Sequence, residues 1–287
     1  MISLSLVSLA GCVTYLPAPV DEPEKVSSFE LESVIKDLVF SESDWPQALT
    51  ADLYLSKRPD ARPVVLMVHG GGWAARDKDD MDAISHDLVT NGYAVLNVNH
   101  RFAPKWKHPA QLADMQQALK WISTNAGKYR FDLSRINTWG YSSGAHLAAL
   151  IASYNYSDQS MLNEAENLPQ VRAVVAGGIP SDLRKYEDGP IVRRFLGDSQ
   201  ANIPDVYADA SPAFHIDETD PPVFIYHGKL DLLVRPDQAV DYYEALQQQG
   251  IDTELYLHAF REHMTMFLFG GDAEQKAIQF LNRKNQD

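Results

Sequence analysis

Residues 135–154 read RINTWGYSSGAHLAALIASY, and this stretch decides the fold. Residues 135–139 are typical of a buried strand, whereas the small and apolar residues from Ser143 onward favour a helix. The segment GYSSG at 140–144 lies between them and fits the pattern G-x-S-x-G. A strand that turns sharply into a helix exposes the central serine, so Ser142 is a candidate nucleophile. The alternative is that Ser142 or Ser143 only caps the helix.

Strands and helices alternate on both sides of this stretch. Further strands are predicted over 34–40, 51–55, 63–68, 93–98, 171–176, 223–226 and 253–257, and helices over 77–91, 109–126, 237–248 and 273–281. This alternation predicts an α/β fold over 30–287, with a mostly parallel central sheet flanked by helices. The first two strands are expected to form a hairpin at one edge. Residues 182–220 break the alternation and are predicted to be a small lid insertion at the carboxyl edge of the sheet, where ligands bind.

The composition narrows the classes of function. The chain has 287 residues, of which 45% are hydrophobic and 22% charged, as in an ordinary globular domain. Its 39 acidic residues outnumber its 25 basic ones, and the net charge of −14 argues against nucleic acid as a partner. The one cysteine, Cys12, excludes an internal disulfide and a thiolate-rich metal site.

The N-terminal residues form a separate segment. The stretch from residue 2 to residue 13 is apolar but too short to span a bilayer as a helix, which takes about 20 residues. It closes with Leu9-Ala10-Gly11-Cys12, which resembles the lipobox of bacterial lipoproteins. The resemblance implies a signal peptide over 1–11, lipidation of Cys12, a tether over 12–29 and a place in the bacterial cell envelope, either anchored in the outer membrane or periplasmic. Membrane contact is then expected through the lipid anchor only; the alternative is a frayed apolar terminus with a chance cysteine.

A glycine-rich segment, HGGGW at 69–73, follows the predicted strand over 63–68. Consecutive glycines let backbone N–H groups approach a ligand without obstruction by side chains. The N–H groups of Gly71, Gly72 and Ser143 are therefore expected to form an oxyanion hole. A phosphate-binding loop is disfavoured because no lysine lies near the glycines and neither nucleotide-binding glycine motif is present.

A nucleophilic serine needs a base, and the base needs an orienting carboxylate. Five histidines follow the serine in the chain, namely His146, His215, His227, His258 and His263. In this kind of fold the acid precedes the histidine, so Asp231 is the predicted acid, with Asp182 as the alternative. His263, in a loop before the final helix, is favoured as base over His258, and His146 is expected to be structural.

Further motifs carry a family resemblance. Asn99-His100-Arg101-Phe102-Ala103-Pro104 is similar to N-Y-R-L-A-P, with His100 in place of Tyr, and the elbow reads Gly-Tyr-Ser-Ser-Gly-Ala. With the HGGGW segment, the chain resembles α/β-hydrolase esterases, both the hormone-sensitive-lipase-like branch and small bacterial feruloyl or acetyl esterases. The resemblance implies the α/β-hydrolase fold and hydrolysis of small-molecule esters with short or aromatic acyl groups through Ser142, Asp231 and His263. It implies no metal and no cofactor.

Two other functions stay open at this point. One is an arylformamidase-like amide hydrolase, and the other is a non-catalytic surface lipoprotein that uses the fold as a binding module. Four aromatic residues are candidates for the wall of an acyl or leaving-group pocket: Trp73, Tyr141, Phe195 and Phe260. The sequence leaves the oligomeric state open.

Overall fold

The computed structural model describes residues 13–17, 28–153, 168–186 and 189–286. Its strands are β1 Val13–Leu16, β2 Leu31–Val39, β3 Thr50–Ser56, β4 Arg62–Val68, β5 Ala94–Val98, β6 Phe131–Tyr141, β7 Val171–Gly177, β8 Val223–Gly228 and β9 Thr253–His258. Its α-helices are α1 Asp82–Thr90, α2 Ala110–Thr124, α3 Ala126–Tyr129, α4 Ser143–Ser153, α5 Pro190–Leu196, α6 Pro204–Asp209, α7 Asp237–Gln248, α8 His263–Leu268 and α9 Ala273–Lys284.

The strands form one nine-stranded sheet in the order β1-β9-β8-β7-β6-β4-β5-β3-β2. The six strands from β9 to β5 run parallel, whereas β1, β3 and β2 pair antiparallel with their neighbours at the two edges. The predicted α/β architecture is therefore confirmed, as is the hairpin of β2 and β3 at one edge. Because the parallel strands share one direction, the loops that follow β4, β6, β7, β8 and β9 all emerge at the same carboxyl edge.

Strand β4 shows how helices hold the sheet from both sides. Successive side chains of a strand point to opposite faces. Val64, Leu66 and Val68 pack in the core cluster that includes α2 and α4, whereas Val65 and Met67 pack in the cluster that includes α1 and α9. Burial on both faces explains why this strand reads as a continuous apolar run in the sequence.

One predicted helix is divided. The helix expected over 77–91 begins as a 3-10 turn, Lys78–Met81, capped by the carboxylate of Asp77, and continues as α1. The Asp77 side chain accepts a hydrogen bond from the backbone N–H of Asp79 at 2.9 Å. The 3-10 turn that follows is wound more tightly than a turn of α-helix.

The tether prediction over 12–29 is wrong for Val13–Leu16, which forms the edge strand β1. Val13 pairs with His258, so β1 completes the free edge of β9. The ring of Tyr15 packs edge-on against the rings of Phe224 and Tyr256, each with centroids 6.1 Å apart, and its hydroxyl donates to Glu254. Cys12 and the predicted signal peptide over 1–11 lie outside the described residues. Within the described part of the chain, no helix is both long and apolar enough to cross a bilayer.

The segment predicted as a lid consists of short helical pieces fixed to the core. It contains a 3-10 turn, Leu183–Tyr186, then α5, α6 and a second 3-10 turn, Pro212–Phe214. Leu183, Phe195 and Tyr207 are fully buried in the same cluster as α2 and α4. This segment therefore covers the carboxyl edge as a packed layer of the domain.

Candidate active site

Ser142 occupies the turn between β6 and α4 with a strained backbone. Its φ is +55°, in the left-handed region, which costs a non-glycine residue about 1 to 3 kcal/mol. The surrounding structure holds it there, because the Ser142 N–H donates to Gly177 O at 2.8 Å and Ser142 O accepts from the His146 N–H at 3.1 Å. The hydroxyl is thus fixed at the carboxyl end of β6, where the sequence predicts it.

The two glycines of the G-x-S-x-G pattern are required by close backbone contacts. A Cβ on Gly140 would lie 2.2 Å from the carbonyl carbon of Gly144, and a Cβ on Gly144 would lie 2.1 Å from Val68 O. Both distances are far below van der Waals contact, so no side chain fits at either position. These contacts let α4 start directly against the ends of β4 and β6.

Asp231, on the loop after β8, forms the carboxylate part of the site. Its Oδ2 lies 2.6 Å from His263 Nδ1, and its Oδ1 accepts from the backbone N–H groups of Leu233 at 2.9 Å and Val234 at 2.8 Å. Burial opposes ionisation, yet hydrogen bonds from His227 and His263 hold the pKa of this carboxyl well below its usual range. Asp231 is therefore ionised at neutral pH and fixed in orientation.

His263 is the first residue of α8 rather than a loop residue as predicted. Glu262 caps the helix through the N–H groups of Met264 and Thr265, and the Tyr141 hydroxyl donates to His263 O at 2.6 Å. Because its Nδ1 donates to Asp231, the basic lone pair of the imidazole belongs to Nε2. His263 lines the same cavity as Ser142.

His258, His146 and the alternative acid Asp182 have partners other than Asp231 and His263. His258 ends β9, and its Nδ1 accepts from the Phe260 N–H at 3.2 Å. His146 accepts from Trp73 Nε1 at 3.2 Å and contacts Ala210 O at 2.6 Å, and burial lowers its pKa to about 3. Both its ring nitrogens are engaged in the core, as expected of a structural histidine. Asp182 forms an ion pair with the adjacent Arg184 at 2.8 Å.

The glycine segment lies directly against the serine. An added Cβ on Gly70 would be 3.3 Å from the Cβ of Ser142, and Gly71 and Gly72 adopt φ values of +117° and +60°. Gly70, Gly71, Gly72 and Ser143 all line the cavity that contains Ser142. The structure thus brings the three predicted oxyanion-hole residues to the nucleophile, and their role in binding an oxyanion stays a prediction.

Two stacked histidines support the glycine segment from within the core. The rings of His69 and His100 lie 4.6 Å apart and nearly parallel, and both are buried. His69 Nδ1 donates to Gly70 O at 2.6 Å, and His100 Nδ1 donates to Arg101 O at 3.0 Å. Burial lowers the pKa of His69 to about 4 and that of His100 to about 3, so both rings are neutral. His100, which replaces a tyrosine in the family motif, thus acts as a flat packing surface.

The cavity at Ser142 has a volume of about 370 Å³. Of the four predicted aromatic wall residues, Trp73 and Tyr141 line it. The prediction is wrong for the other two, because Phe195 is buried behind Trp73 with ring centroids 4.3 Å apart, and Phe260 is 66% exposed on the surface. Several other residues of the cavity wall belong to no sequence motif and were not predicted. They are Tyr186, Ile191, Val192, Arg194, Met264 and Phe267.

A group of carboxylates near the β2–β3 hairpin has the spacing of a cation site. Among the described residues, oxygens of Asp52, Asp79 and Asp82 lie close enough together to share an ion. However, the ammonium groups of Lys36 and Lys78 lie 2.7 Å and 3.2 Å from Asp52 and supply the positive charge there. This group is therefore an ion-pair network.

Comparison with known proteins shows that the chain is similar to esterases. Residues 51–246 match the BD-FAE family. The chain is 28% identical over 246 residues to the "Probable carboxylic ester hydrolase LipM" of Mycobacterium tuberculosis, covering 78% of this chain and 56% of the relative. Across the first curated relatives that it matches, the chain spans about half of their length.

Solved structures share the fold. A bifunctional GH43-CE protein of Bacteroides eggerthii matches with a TM-score of 0.78 and 27% identity, covering 88% of this chain and 38% of that one. A truncated carbohydrate esterase from gut microbiota matches with a TM-score of 0.78 and 22% identity, covering 92% and 99%. These comparisons confirm the resemblance to α/β-hydrolase esterases.

Proposed function

This chain belongs to the BD-FAE family and has the α/β-hydrolase fold, and on that basis we propose that it is a serine carboxylesterase. We propose that it hydrolyses small-molecule esters of short or aromatic acyl groups. The observation that carries the proposal is the 2.6 Å contact between Asp231 and His263, with His263 and Ser142 in the walls of one cavity. An oriented imidazole beside a strained serine is the arrangement that acyl transfer requires.

In the first half of the reaction, Ser142 Oγ attacks the ester carbonyl while His263 Nε2 takes the hydroxyl proton. Asp231 keeps the proton on Nδ1 and stabilises the imidazolium that forms. The N–H groups of Gly71, Gly72 and Ser143 stabilise the oxyanion, each donor contributing about 3 kcal/mol. His263 then protonates the leaving alcohol, and the acyl group stays on Ser142.

In the second half, water hydrolyses the acyl-enzyme. His263 removes a proton from the water as it attacks the acyl carbon, and the same backbone donors stabilise the second oxyanion. His263 finally returns a proton to Ser142 Oγ, which releases the carboxylic acid. Each proton transfer uses His263 Nε2, so Asp231 orients the imidazole in both halves of the reaction.

The preference for short or aromatic acyl groups rests on the size and wall of the cavity. A volume of about 370 Å³ lies at the small end of the range of ligand pockets, roughly 300 to 1,000 Å³. Trp73, Tyr141 and Phe267 supply flat apolar surfaces in its wall. Such surfaces suit an aryl ring or a short alkyl chain.

A panel of p-nitrophenyl esters tests this proposal. The acetate, butyrate, octanoate and benzoate are assayed beside N-formylkynurenine, an amide substrate. We expect the highest kcat/KM for the acetate, butyrate or benzoate, a fall of at least about tenfold for the octanoate, and covalent labelling of Ser142 by an organophosphate. Faster hydrolysis of the amide than of every ester, or failure of the label, would contradict an esterase.

We also propose that Cys12 is lipidated and attaches the protein to the bacterial cell envelope, in the outer membrane. The support is the sequence Leu9-Ala10-Gly11-Cys12 at the end of an apolar run. Growth of an expressing bacterium with labelled palmitate should label the protein, and Cys12→Ser should abolish the label and release the protein into the soluble periplasmic fraction. An unlabelled native protein would show that this attachment does not occur.

A further inference from the structure

An arginine side chain reaches the cavity wall beside the predicted oxyanion hole. Arg194, on α5, lines the cavity that contains Ser142 and is exposed to solvent, so a ligand in the cavity can contact it. Its Nη2 lies 3.9 Å from the position that a Cβ on Gly72 would take. The guanidinium is therefore next to a residue whose backbone N–H binds the ester oxygen in the proposed mechanism.

The packing of α5 fixes the place of Arg194 relative to the glycine segment. The ring of Phe195 stacks on the ring of Trp73 with centroids 4.3 Å apart, and Phe195 O accepts from the His108 N–H at 3.0 Å. Because Trp73 follows Gly72 and Phe195 follows Arg194 in the chain, this stacking brings the arginine and the glycine together. The long side chain of Arg194 thus starts from a backbone that the core holds in place.

The positive charge of Arg194 has no counterpart in the described part of the cavity wall. The fixed charges of that wall belong to Arg76, Asp80 and Arg194, and Asp231 lies outside it in contact with His263. Arg76 pairs with Asp80 at 3.1 Å, whereas no described carboxylate forms an ion pair with Arg194. The wall therefore has an excess positive charge, although the net charge of the chain is −14. A negatively charged ligand group is attracted to this point.

The preceding residue, Arg193, shows what an arginine of α5 does outside the cavity. Its Nη2 lies 3.6 Å from Asp198 Oδ1, and it does not line the cavity. Both arginines lie in the last turn of α5, where positive charge stabilises the end of a helix. Stabilisation of the helix end therefore does not explain why Arg194 lies beside Gly72.

The chemistry of the guanidinium selects a class of ligand. It stays positively charged over the pH range of enzyme assays and presents N–H donors in a planar fork that fits a carboxylate with two parallel hydrogen bonds. Gly72 has no side chain, and the side chain of Ile191, which also lies beside it, is apolar. A carboxylate a few bonds away from the ester carbonyl can thus reach Arg194 while the carbonyl oxygen occupies the oxyanion hole.

We propose that Arg194 determines specificity by binding a carboxylate group of the substrate that is separate from the ester group. The preferred substrate class is then an ester that carries a free carboxylate on its acyl or its alcohol part, rather than a neutral ester. This inference rests on the proposed esterase function and names the substrate class of the same site.

Two matched substrate pairs test this role. 3-Carboxyphenyl acetate and 3-carbamoylphenyl acetate differ in the alcohol part, where a carboxylate replaces a neutral amide of similar shape. Monophenyl isophthalate and phenyl 3-carbamoylbenzoate differ in the same way in the acyl part. The value of kcat/KM is measured from the release of the phenol for the full chain and for Arg194→Gln. The mutant-to-parent ratio cancels the intrinsic reactivity of each ester.

We expect Arg194→Gln to lower kcat/KM about fivefold for the carboxylate member of at least one pair and to change its carbamoyl partner less than about twofold. The pair that responds tells whether the guanidinium binds the acyl or the alcohol part. Arg194→Lys keeps the charge but loses the fork, so its loss should be smaller. Arg193→Gln, on the same helix but outside the cavity, is the matched control and should alter neither pair. Thermal unfolding verifies that all variants are folded.

Equal changes for both members of both pairs would overturn this role, because the guanidinium would then assist every ester alike. No change in any of the four esters would overturn it as well. In both cases the carbamoyl esters are still hydrolysed, and the proposed esterase function stands.

Failure of the parent protein to hydrolyse either carboxylate ester would also overturn the role of Arg194. Hydrolysis of p-nitrophenyl acetate would then show that the esterase function stands without it. If that ester is not hydrolysed either and Ser142 is not labelled by an organophosphate, the esterase function itself fails, and this inference fails with it.

Discussion

The serine turn and the helical segment that covers it are built in different ways. Ser142 is held by backbone atoms, since Gly140 and Gly144 lie too close to neighbouring main chain for any side chain to fit. The segment from Leu183 to Phe214 is held by side chains packed into the core, and it contributes to the cavity through Tyr186 and Ile191. The close backbone contacts fix the position of Ser142. Side chains of the covering segment can change without moving that turn. In the proposed function, chemistry and selectivity therefore depend on separate parts of this molecule.

The largest effect is expected at the turn itself. Ser142→Ala removes the nucleophile and should lower kcat by at least about 10⁴-fold while the protein stays folded. Single-turnover assays with p-nitrophenyl acetate measure this loss. Ser153→Ala, at the far end of α4, is the control and should keep the parent rate. Substantial activity in Ser142→Ala would show that the chemistry lies elsewhere.

The choice between two histidines comes next. His263→Ala should lower kcat about as far as the serine variant, because only this ring of the two bonds to Asp231. His258→Ala should stay within about threefold of the parent rate, since its ring contacts the backbone of its own loop. The two variants are compared in one steady-state assay. The reverse pattern would assign the base to His258.

Backbone crowding should appear as a loss of stability. Gly144→Ala places a Cβ 2.1 Å from Val68 O, so the sheet or the helix must shift, and we expect a loss of about 3 kcal/mol or more in the free energy of unfolding. Gly127→Ala is the matched control, because nothing lies within 4 Å of its added Cβ. Urea unfolding followed by circular dichroism measures both. Equal stability for the two variants would contradict the rigidity ascribed to the turn.

The buried histidines behind the glycine segment predict sensitivity to acid. In the unfolded chain a histidine takes up a proton near pH 6.5, whereas the pKa of folded His100 is about 3. Between these values the unfolded state binds more protons, so stability falls as the pH falls, by about 2 kcal/mol per histidine from pH 7 to pH 5.

His100→Phe should remove that contribution and flatten the dependence of unfolding free energy on pH. Urea unfolding at several pH values between 5 and 7 gives the slope. His86→Phe, at an exposed position on α1, serves as the control and should leave the slope unchanged. An unchanged slope in His100→Phe would show that this ring does not titrate as its burial implies.

The smallest effect is expected in the covering segment. Ile191 is 39% exposed, and its Cγ2 would lie 3.1 Å from a Cβ on Gly72, so it borders the glycine segment. Ile191→Ala should raise KM for p-nitrophenyl butyrate about threefold and leave kcat within about twofold. Val39→Ala, on the exposed edge strand β2, is the control. A fall in kcat larger than the rise in KM would mean that the covering segment also positions the reacting atoms.

The sequence predicts the parts of this molecule that local rules govern. Buried parallel strands such as β4 are continuous apolar runs, and Ser142, Asp231 and His263 follow the carboxyl ends of the parallel strands β6, β8 and β9. Because the carboxyl ends of parallel strands share one edge, the order of strands and loops along the chain is enough to predict that these three residues meet. The glycines near Ser142 can also be predicted, because close backbone contacts at these positions require glycine and so produce the G-x-S-x-G pattern.

Other parts depend on contacts that no local pattern records. Val13–Leu16 is short and becomes a strand only because β9 has a free edge beside it. Helix α8 is capped by Glu262 and Thr265, the reverse of the usual Ser-x-x-Glu order, so the sequence predicts a loop where the helix begins at His263. Tyr186 has no motif at all, and only its position against the cavity distinguishes it.

The antiparallel direction of β1 has a geometric consequence for the whole protein. Val13 lies opposite the last residue of β9, and Thr14 accepts a hydrogen bond from Lys229, on the loop after β8. The chain therefore enters β1 at the carboxyl edge of the sheet, the edge at which Ser142 and Asp231 lie. If Cys12 carries a lipid, as proposed, the carboxyl edge of the sheet lies near the membrane, because residue 12 directly precedes β1. A small ester then reaches this edge more easily than a bulky polymer, which must fit between the protein and the membrane.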